Sequence, residues 1–150
     1  MAFDLILKGG RIIDLSHSLD RIADIGFAAG KVAKIGPDLA GIGRPRSVYQ
    51  RPRFRSGHNP LEVLCLGMPL ADVIAATTVN AAMALKRPEL GSLKPGSIGD
   101  ATILSVQQGT FDYVDVVGEH MVGDKRIVSA GVVIAGHWWH PRGSSKFGRT

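Results

Sequence analysis

Apolar and polar residues alternate over the first third of the chain, which is the pattern of half-buried β-strands. Phe3, Leu5 and Leu7 fall on one side, and Gly9-Gly10 separates them from the short run of residues 11–14. A second period-two set covers residues 23–27, followed by an Ala-Gly turn signal and a return run at residues 31–35. The pattern predicts two short strands joined by a turn and then a hairpin, so that residues 1 to about 36 form a small β meander.

The period lengthens after residue 68 to the three-and-four spacing of one helical face. The residues on that face are Leu70, Val73, Ile74, Thr77, Ala81, Ala84 and Leu85. Pro69 suits a first helical turn and Pro88 ends a helix, while Asp72 near the start and Lys86 and Arg87 near the end match the helix dipole. We therefore expect one amphipathic helix here.

Strand patterns return after the helix. Turn signals at Gly91 and at Pro95-Gly96 precede Asp100, which we interpret as a cap or turn residue that leads into a strand at residues 101–106. Further strands are predicted at residues 110–117 and 125–128. Residues 132–139 then repeat the strand, Ala-Gly turn and strand arrangement of residues 25–35.

Residues 41–60 separate these two halves and show no period. Five arginines, at positions 44, 46, 51, 53 and 55, equal the whole net charge of +5. We interpret the segment as a basic, low-complexity linker. Together with Tyr49 and Phe54, the segment Arg44–Arg55 also allows nucleic-acid binding, which we expect less than a solvated junction. A third hypothesis is that the segment marks the site of an internal deletion. Arg, Pro, Gly and Ser accumulate when a G+C-rich gene is translated out of frame.

Composition favours one globular domain, since 45% of the residues are hydrophobic. No apolar run has the length of a membrane span, and the first residues lack a basic signal region. The single Cys65 excludes an intramolecular disulfide framework. We expect a soluble, cytoplasmic protein.

Both halves resemble one family. DLILKGGRIID with GFAAGKVAKIGPDL is similar to the N-terminal strands of the amidohydrolase superfamily, in particular its cyclic branch of dihydroorotases, dihydropyrimidinases and related deacetylases. LGMPLADVIAATTVNAAMAL resembles the late helix of that family, and RPELGSLKPGSIGDATIL resembles its return into the β-domain. The sequence departs from the family at Gly99, where the pattern has Ala, and at Ala81, where the helix usually has Asn-Pro. We expect neither departure to change the fold.

The resemblance implies a (β/α)₈ barrel between the halves, and such a barrel takes about 250 residues. Only the linker lies there, so we expect the barrel to be missing. Family catalysis uses one or two metals, zinc or another divalent ion, held by a His-x-His pair and other ligands. The five histidines, at positions 17, 58, 120, 137 and 140, include no such pair. A metal pair of His137 and His140 is disfavoured because residues three apart on a strand face opposite ways. We therefore assign no catalytic, cofactor-binding or metal residue, and expect no cofactor in this chain.

The predicted architecture is mainly β, an α+β arrangement in which both chain ends build a composite β-sandwich with one amphipathic helix and no TIM barrel. Its parts are the N-terminal half of the sandwich (1–40), the linker (41–60), the helix as a remnant of the barrel exit (61–88), the C-terminal half (89–142) and a tail (143–150). Without a barrel, the apolar face of helix 69–85 needs another partner, so we expect a homo-oligomer or a helix folded back over the sheet.

Three classes of function stay open. The first class is the activity that the family resemblance implies, metal-dependent hydrolysis of C–N bonds in cyclic amides or N-acyl compounds. The residues themselves favour a non-catalytic β-domain remnant or assembly subunit. The third class is nucleic-acid binding through Arg44–Arg55. No membrane partner is expected.

Overall fold

A computed structural model describes residues 2–40, 67–114 and 117–139. The elements in chain order are β1 (Leu5–Asp14), a 3₁₀ turn (Leu15–His17), β2 (Leu19–Ala28), β3 (Lys31–Gly36), α1 (Leu70–Thr77), α2 (Val79–Ala84), β4 (Ala101–Val114), β5 (His120–Ile134) and β6 (His137–Trp138). The predicted linker and tail lie outside the described residues. Within these residues, no helix has both the length and the apolar character to cross a membrane.

The strands form two antiparallel sheets, one from each half of the chain. The N-terminal sheet has the order β1-β2-β3 and the C-terminal sheet the order β4-β5-β6. Ile25, Phe27 and Val32 of the first sheet share a buried core with Val133 of the second, and Ile103 packs against it. The predicted mainly β composite sandwich is confirmed, and the described residues contain no (β/α)₈ barrel.

The N-terminal sheet is buried on its outer face as well. Phe3, Ile6 and Leu39 form a second small core there. Phe3 lies directly over Gly26, where a Cβ atom would stand 2.6 Å from its ring. Because both faces are covered, every residue of β2 from Ala23 to Phe27 is buried.

The predicted turn at Gly9-Gly10 is wrong. These glycines lie inside β1, which stays paired with β2 on both sides of them, and the register shift between Leu7 and Gly10 marks one extra residue in β1. Asp24 of β2 holds the irregularity, since its Oδ1 accepts the Gly9 N–H at 2.8 Å. A bulge therefore replaces the turn.

The C-terminal half contains fewer and longer strands than predicted. The expected strands at residues 101–106 and 110–117 are one strand, β4, that passes through an irregularity between Gln108 and Phe111. Likewise, the runs at residues 125–128 and 132–134 belong to the single strand β5. Each irregularity keeps the same partner strand, so the chain does not turn there.

The predicted helix is interrupted at Thr78, which separates α1 from α2. The hydroxyls of Thr77 and Thr78 both donate to the carbonyl of Ile74, at 3.2 and 2.6 Å. Such side-chain bonds compete with the backbone ladder of a helix. The second helix ends at Ala84, before Pro88, so Lys86 and Arg87 follow the helix instead of forming its last turn.

The apolar stripe of the helical segment is covered at some positions only. Of its members, Val73 is buried, whereas Ala84 is exposed and Leu85 is 70% exposed. The first helix lies against the 3₁₀ turn that follows β1, and the homo-oligomer through residues 69–85 stays a prediction.

Two matching hairpin turns meet where the sheets join. The turn between β2 and β3 is Ala29-Gly30 and the turn between β5 and β6 is Ala135-Gly136, with positive φ at all four residues: 49° and 75° in the first, 48° and 75° in the second. Two-residue turns of this kind match the twist of the flanking strands and favour glycine at the second position. The sequence prediction of a repeated hairpin is confirmed.

Gly99 lies between the two turns and bonds to both. Its N–H donates to the carbonyl of Gly30 at 2.9 Å, and its own carbonyl accepts the N–H of Gly136 at 2.8 Å. A Cβ atom on Gly99 would stand 2.7 Å from the Gly136 nitrogen and 3.0 Å from the Gly30 oxygen. The Ala that the family pattern has at this position would therefore clash with backbone, so Gly99 is a required contact and not a neutral departure.

We predict that Gly99→Ala destabilises the protein by roughly 1–3 kcal/mol, because its methyl group must push the two turns apart. Gly10→Ala is the matched control, since nothing lies within 4 Å of a Cβ atom there. Urea unfolding monitored by circular dichroism measures both variants. Equal midpoints for the two variants would contradict the close approach.

Candidate functional site

Serine, histidine and aspartate side chains converge at one place in the described part of the chain, where the end of β1 meets the loop after α2. Asp14, Ser16 and His17 come from the strand end and its 3₁₀ turn, and Ser92 comes from the loop. The Ser16 hydroxyl lies 2.5 Å from Asp14 Oδ1 and 2.7 Å from His17 Nδ1. The Ser92 hydroxyl lies 3.2 Å from Asp14 Oδ2 and 3.3 Å from His17 Nδ1. We refer to these four residues as the Asp14 cluster.

Asp14 is the centre of the cluster and is only 4% exposed. Besides the two hydroxyls, its carboxylate accepts the backbone N–H of Ser16 at 3.0 Å and that of Leu93 at 2.8 Å. Desolvation by burial acts to raise the pKa of Asp14, but the hydrogen bonds from Ser16 and Leu93 and the nearby His17 outweigh it, so the pKa is lowered. The group is therefore an ionised carboxylate that joins two distant parts of the chain.

The cluster lacks the geometry of a nucleophilic triad. In a Ser-His-Asp triad the serine bonds to one ring nitrogen of the histidine and the aspartate to the other. Here both serines and Asp14 approach the same nitrogen, His17 Nδ1, with Asp14 Oδ2 at 3.4 Å. The hydroxyls also bond to the carboxylate directly. This arrangement caps the 3₁₀ turn and fastens the loop at Leu93, which is a structural role.

The histidines considered in the sequence are dispersed. His17 belongs to the Asp14 cluster, His120 lies on β5 with its Nδ1 2.9 Å from Asp112 Oδ2, and His137 begins β6. His58 and His140 lie outside the described residues, as do Cys65 and the Arg44–Arg55 segment. In residues 2–40, 67–114 and 117–139, no group of three or more His, Cys, Asp or Glu side chains is arranged to hold a metal ion.

The other notable carboxylates also hold backbone. Asp4 Oδ2 accepts the Ala29 N–H and Asp100 Oδ1 accepts the Ala135 N–H, each at 2.8 Å, so that one aspartate caps each Ala-Gly turn. Asp24 accepts the N–H groups of Gly9 and Leu39 at 2.8 and 2.9 Å. The sequence predicts that Asp100 caps or turns the chain into its own strand, whereas its side chain caps the hairpin turn 35 residues later.

Sequence reasoning missed the Asp14 cluster. Asp14-Leu15-Ser16 carries a local signal, because aspartate often bonds to the backbone two residues on. That signal would have predicted only the hydrogen bond from the Ser16 N–H to the Asp14 carboxylate. Leu93 lies 79 residues from Asp14, and no local pattern connects them.

Fold and cluster together define a composite β-domain, built from strands of both chain halves and fastened by buried carboxylates. A sequence model of the amidohydrolase family matches residues 55–138. Because this match spans more than half of the chain, the chain belongs to the amidohydrolase family. No curated protein matches it.

The described residues do not fit the metal centre that the family implies. Zinc in a hydrolytic site takes at least three protein ligands, usually histidine nitrogens and carboxylate oxygens, that converge on one point. His17 and His120 lie apart, each beside a single carboxylate. No reaction step through a metal is therefore assigned to them.

We predict that Asp14→Asn lowers the free energy of unfolding by about 1–3 kcal/mol at pH 7, because one oxygen acceptor becomes a donor facing other donors. The folded-state pKa of Asp14 lies below its unfolded value of about 4. Its stabilising contribution is therefore present above that pH and is lost as the pH falls through the folded pKa. The variant should show a flatter decline of stability below pH 4 than the original protein.

Asp124→Asn is the control, since the Asp124 side chain is 80% exposed. Thermal unfolding between pH 2.5 and 7 measures all three proteins. A stability profile of Asp14→Asn that runs parallel to the original at every pH would contradict the assigned role.

Proposed function

We propose that this chain is the composite β-domain of an amidohydrolase of the dihydroorotase and deacetylase branch that has lost its catalytic barrel. It folds as a non-catalytic unit and does not hydrolyse C–N bonds itself. One observation carries the proposal. The two ends of the chain close on each other through the Gly30–Gly99–Gly136 hydrogen bonds, and only residues 41–66 separate the described halves.

The length of that separation supports the missing barrel. Ala40 is the last described residue of the N-terminal half and Gly67 the first of the next segment. A (β/α)₈ barrel takes about 250 residues. Residues 41–66 offer about a tenth of that length, so the barrel ligands of a family metal centre have no place in this chain.

The polar contacts of the β-domain support a non-catalytic role. Metal-dependent hydrolysis needs a bound ion that lowers the pKa of water and polarises the scissile carbonyl. The buried carboxylates of Asp14 and Asp24 instead accept backbone N–H groups. A carboxylate whose oxygens are occupied in this way is a fold-stabilising group and a poor candidate for a ligand or general base.

A combined metal and activity assay tests the proposal. The purified protein should have an intact mass near 16.0 kDa. After incubation with zinc and gel filtration, we expect substoichiometric metal by mass spectrometry and no turnover of dihydroorotate or N-acetyl amino acids above a buffer control. The reason is that hydrolysis requires a converging ligand set that the described residues lack.

Two histidine variants make the assay decisive. His17→Ala and His120→Ala remove the two histidines that lie beside a carboxylate. About one zinc per chain, together with turnover that either variant abolishes, would contradict the non-catalytic assignment. An intact mass about three times larger would contradict the missing barrel.

A further inference from the structure

The Ala101–Gln108 stretch of β4 forms the one long sheet edge in the described residues that has neither a cover nor charged side chains. β4 pairs with β5 on one side only. Along Ala101–Gln108 the strand contains no extra residue, and no described segment donates or accepts a backbone hydrogen bond on its other side. An exposed edge of this kind presents a row of backbone N–H and C=O groups to any strand that can pair with it.

The other edges of the two sheets are blocked. β1 carries Lys8 and Arg11 and the bulge between them. β3 is covered by the loop before β4, because Val32 donates to Ser97 at 3.0 Å and accepts from Gly96 at 2.7 Å. β6 has only two residues. Charges, bulges, covers and short strands are the usual protections of sheet edges.

The side of β5 that faces away from β4 carries charge. Asp124, Lys125 and Arg126 follow one another along it. The segment Ala101–Gln108 of β4 reads ATILSVQQ and contains no ionisable residue. This contrast singles out one strand edge among those of the described sheets.

Exposed apolar side chains on β4 also indicate that this edge is a contact surface. Leu104 and Val106 lie on one face of the strand and are 37% and 43% exposed. Beside Val106 an open groove of about 350 Å³ is lined by Met68, Leu70 and Lys125. A strand added at the β4 edge would continue this face and cover part of its apolar surface.

We infer that the β4 edge pairs, antiparallel and across a two-fold axis, with the same edge of a second copy of this chain. Two-fold interfaces use the same patch on both subunits, so the patch must be compatible with itself. ATILSVQQ meets that condition, because its lack of charge brings no like charges together. A net charge of +5 otherwise disfavours self-association, so contact is restricted to the uncharged edge. The product is a continuous six-stranded sheet.

Sedimentation velocity across a concentration series tests this inference. The original protein should form a species of twice 16.0 kDa, and added salt should strengthen it by screening the net charge. Val106→Lys should weaken the dimer by about tenfold or more, since it places one lysine from each copy at the paired edge. Thr102→Lys, at an exposed position of the same edge, is a second variant in case the first fails to fold.

Ile22→Lys is the matched control. Ile22 is 77% exposed but lies on β2, the central strand of the other sheet, so its replacement should leave the dimer unchanged. Hydrogen exchange gives a readout that needs no variant, because amides in Ala101–Gln108 should become more protected as protein concentration rises.

Three results would overturn the inference. The first is a monomer at all concentrations up to about 100 μM with no concentration-dependent protection of β4, which corresponds to a dissociation free energy weaker than about 5.5 kcal/mol. The second is a dimer that both lysine variants of β4 leave intact. The third is a dimer broken by Leu85→Lys alone, which would assign the interface to the helical segment.

Discussion

Gly99 joins the hairpin turns of the two sheets by two hydrogen bonds, of which the one to Gly30 connects the two halves of the chain. The Gly99 N–H reaches the turn between β2 and β3, and the Gly99 carbonyl reaches the turn between β5 and β6. The three backbones approach so closely that no side chain fits at Gly99. The shared core of Phe27, Val32 and Val133 lies next to this junction. The junction and the shared apolar core therefore connect the two sheets at the same place.

Four aspartates stabilise the turns, the bulge and the loop around this junction. Asp4 and Asp100 each cap one of the two Ala-Gly turns, Asp24 holds the bulge of β1, and Asp14 fastens the loop after α2. Carboxylates that accept backbone N–H groups are favourable when ionised. These four aspartates thus stabilise the fold.

The sequence predicts the architecture well because its strongest signals are local. Alternation identifies β2 and β3, and the repeated Ala-Gly pair identifies both hairpin turns. Gly9-Gly10 misleads, since the same residues suit a turn or a bulge, and only the partner strand decides between them. The helix break at Thr78 could not be predicted from Thr77 and Thr78 alone. Their hydroxyls donate to the Ile74 carbonyl, and that acceptor comes within reach only once the helix has formed. Asp14 and Leu93, like Gly99 and Gly136, meet through the fold, and no periodicity shows such contacts.

Native-state hydrogen exchange with increasing denaturant tests the central claim most directly. If the Gly99 junction makes one cooperative unit of the two halves, the amides of Gly99, Gly136 and Val32 should exchange with the same free energy of opening, equal to that of global unfolding. The core strands β2 and β5 should lose protection together with them. Loss of protection in β5 while β2 stays protected would show two independent sheets and would contradict the account.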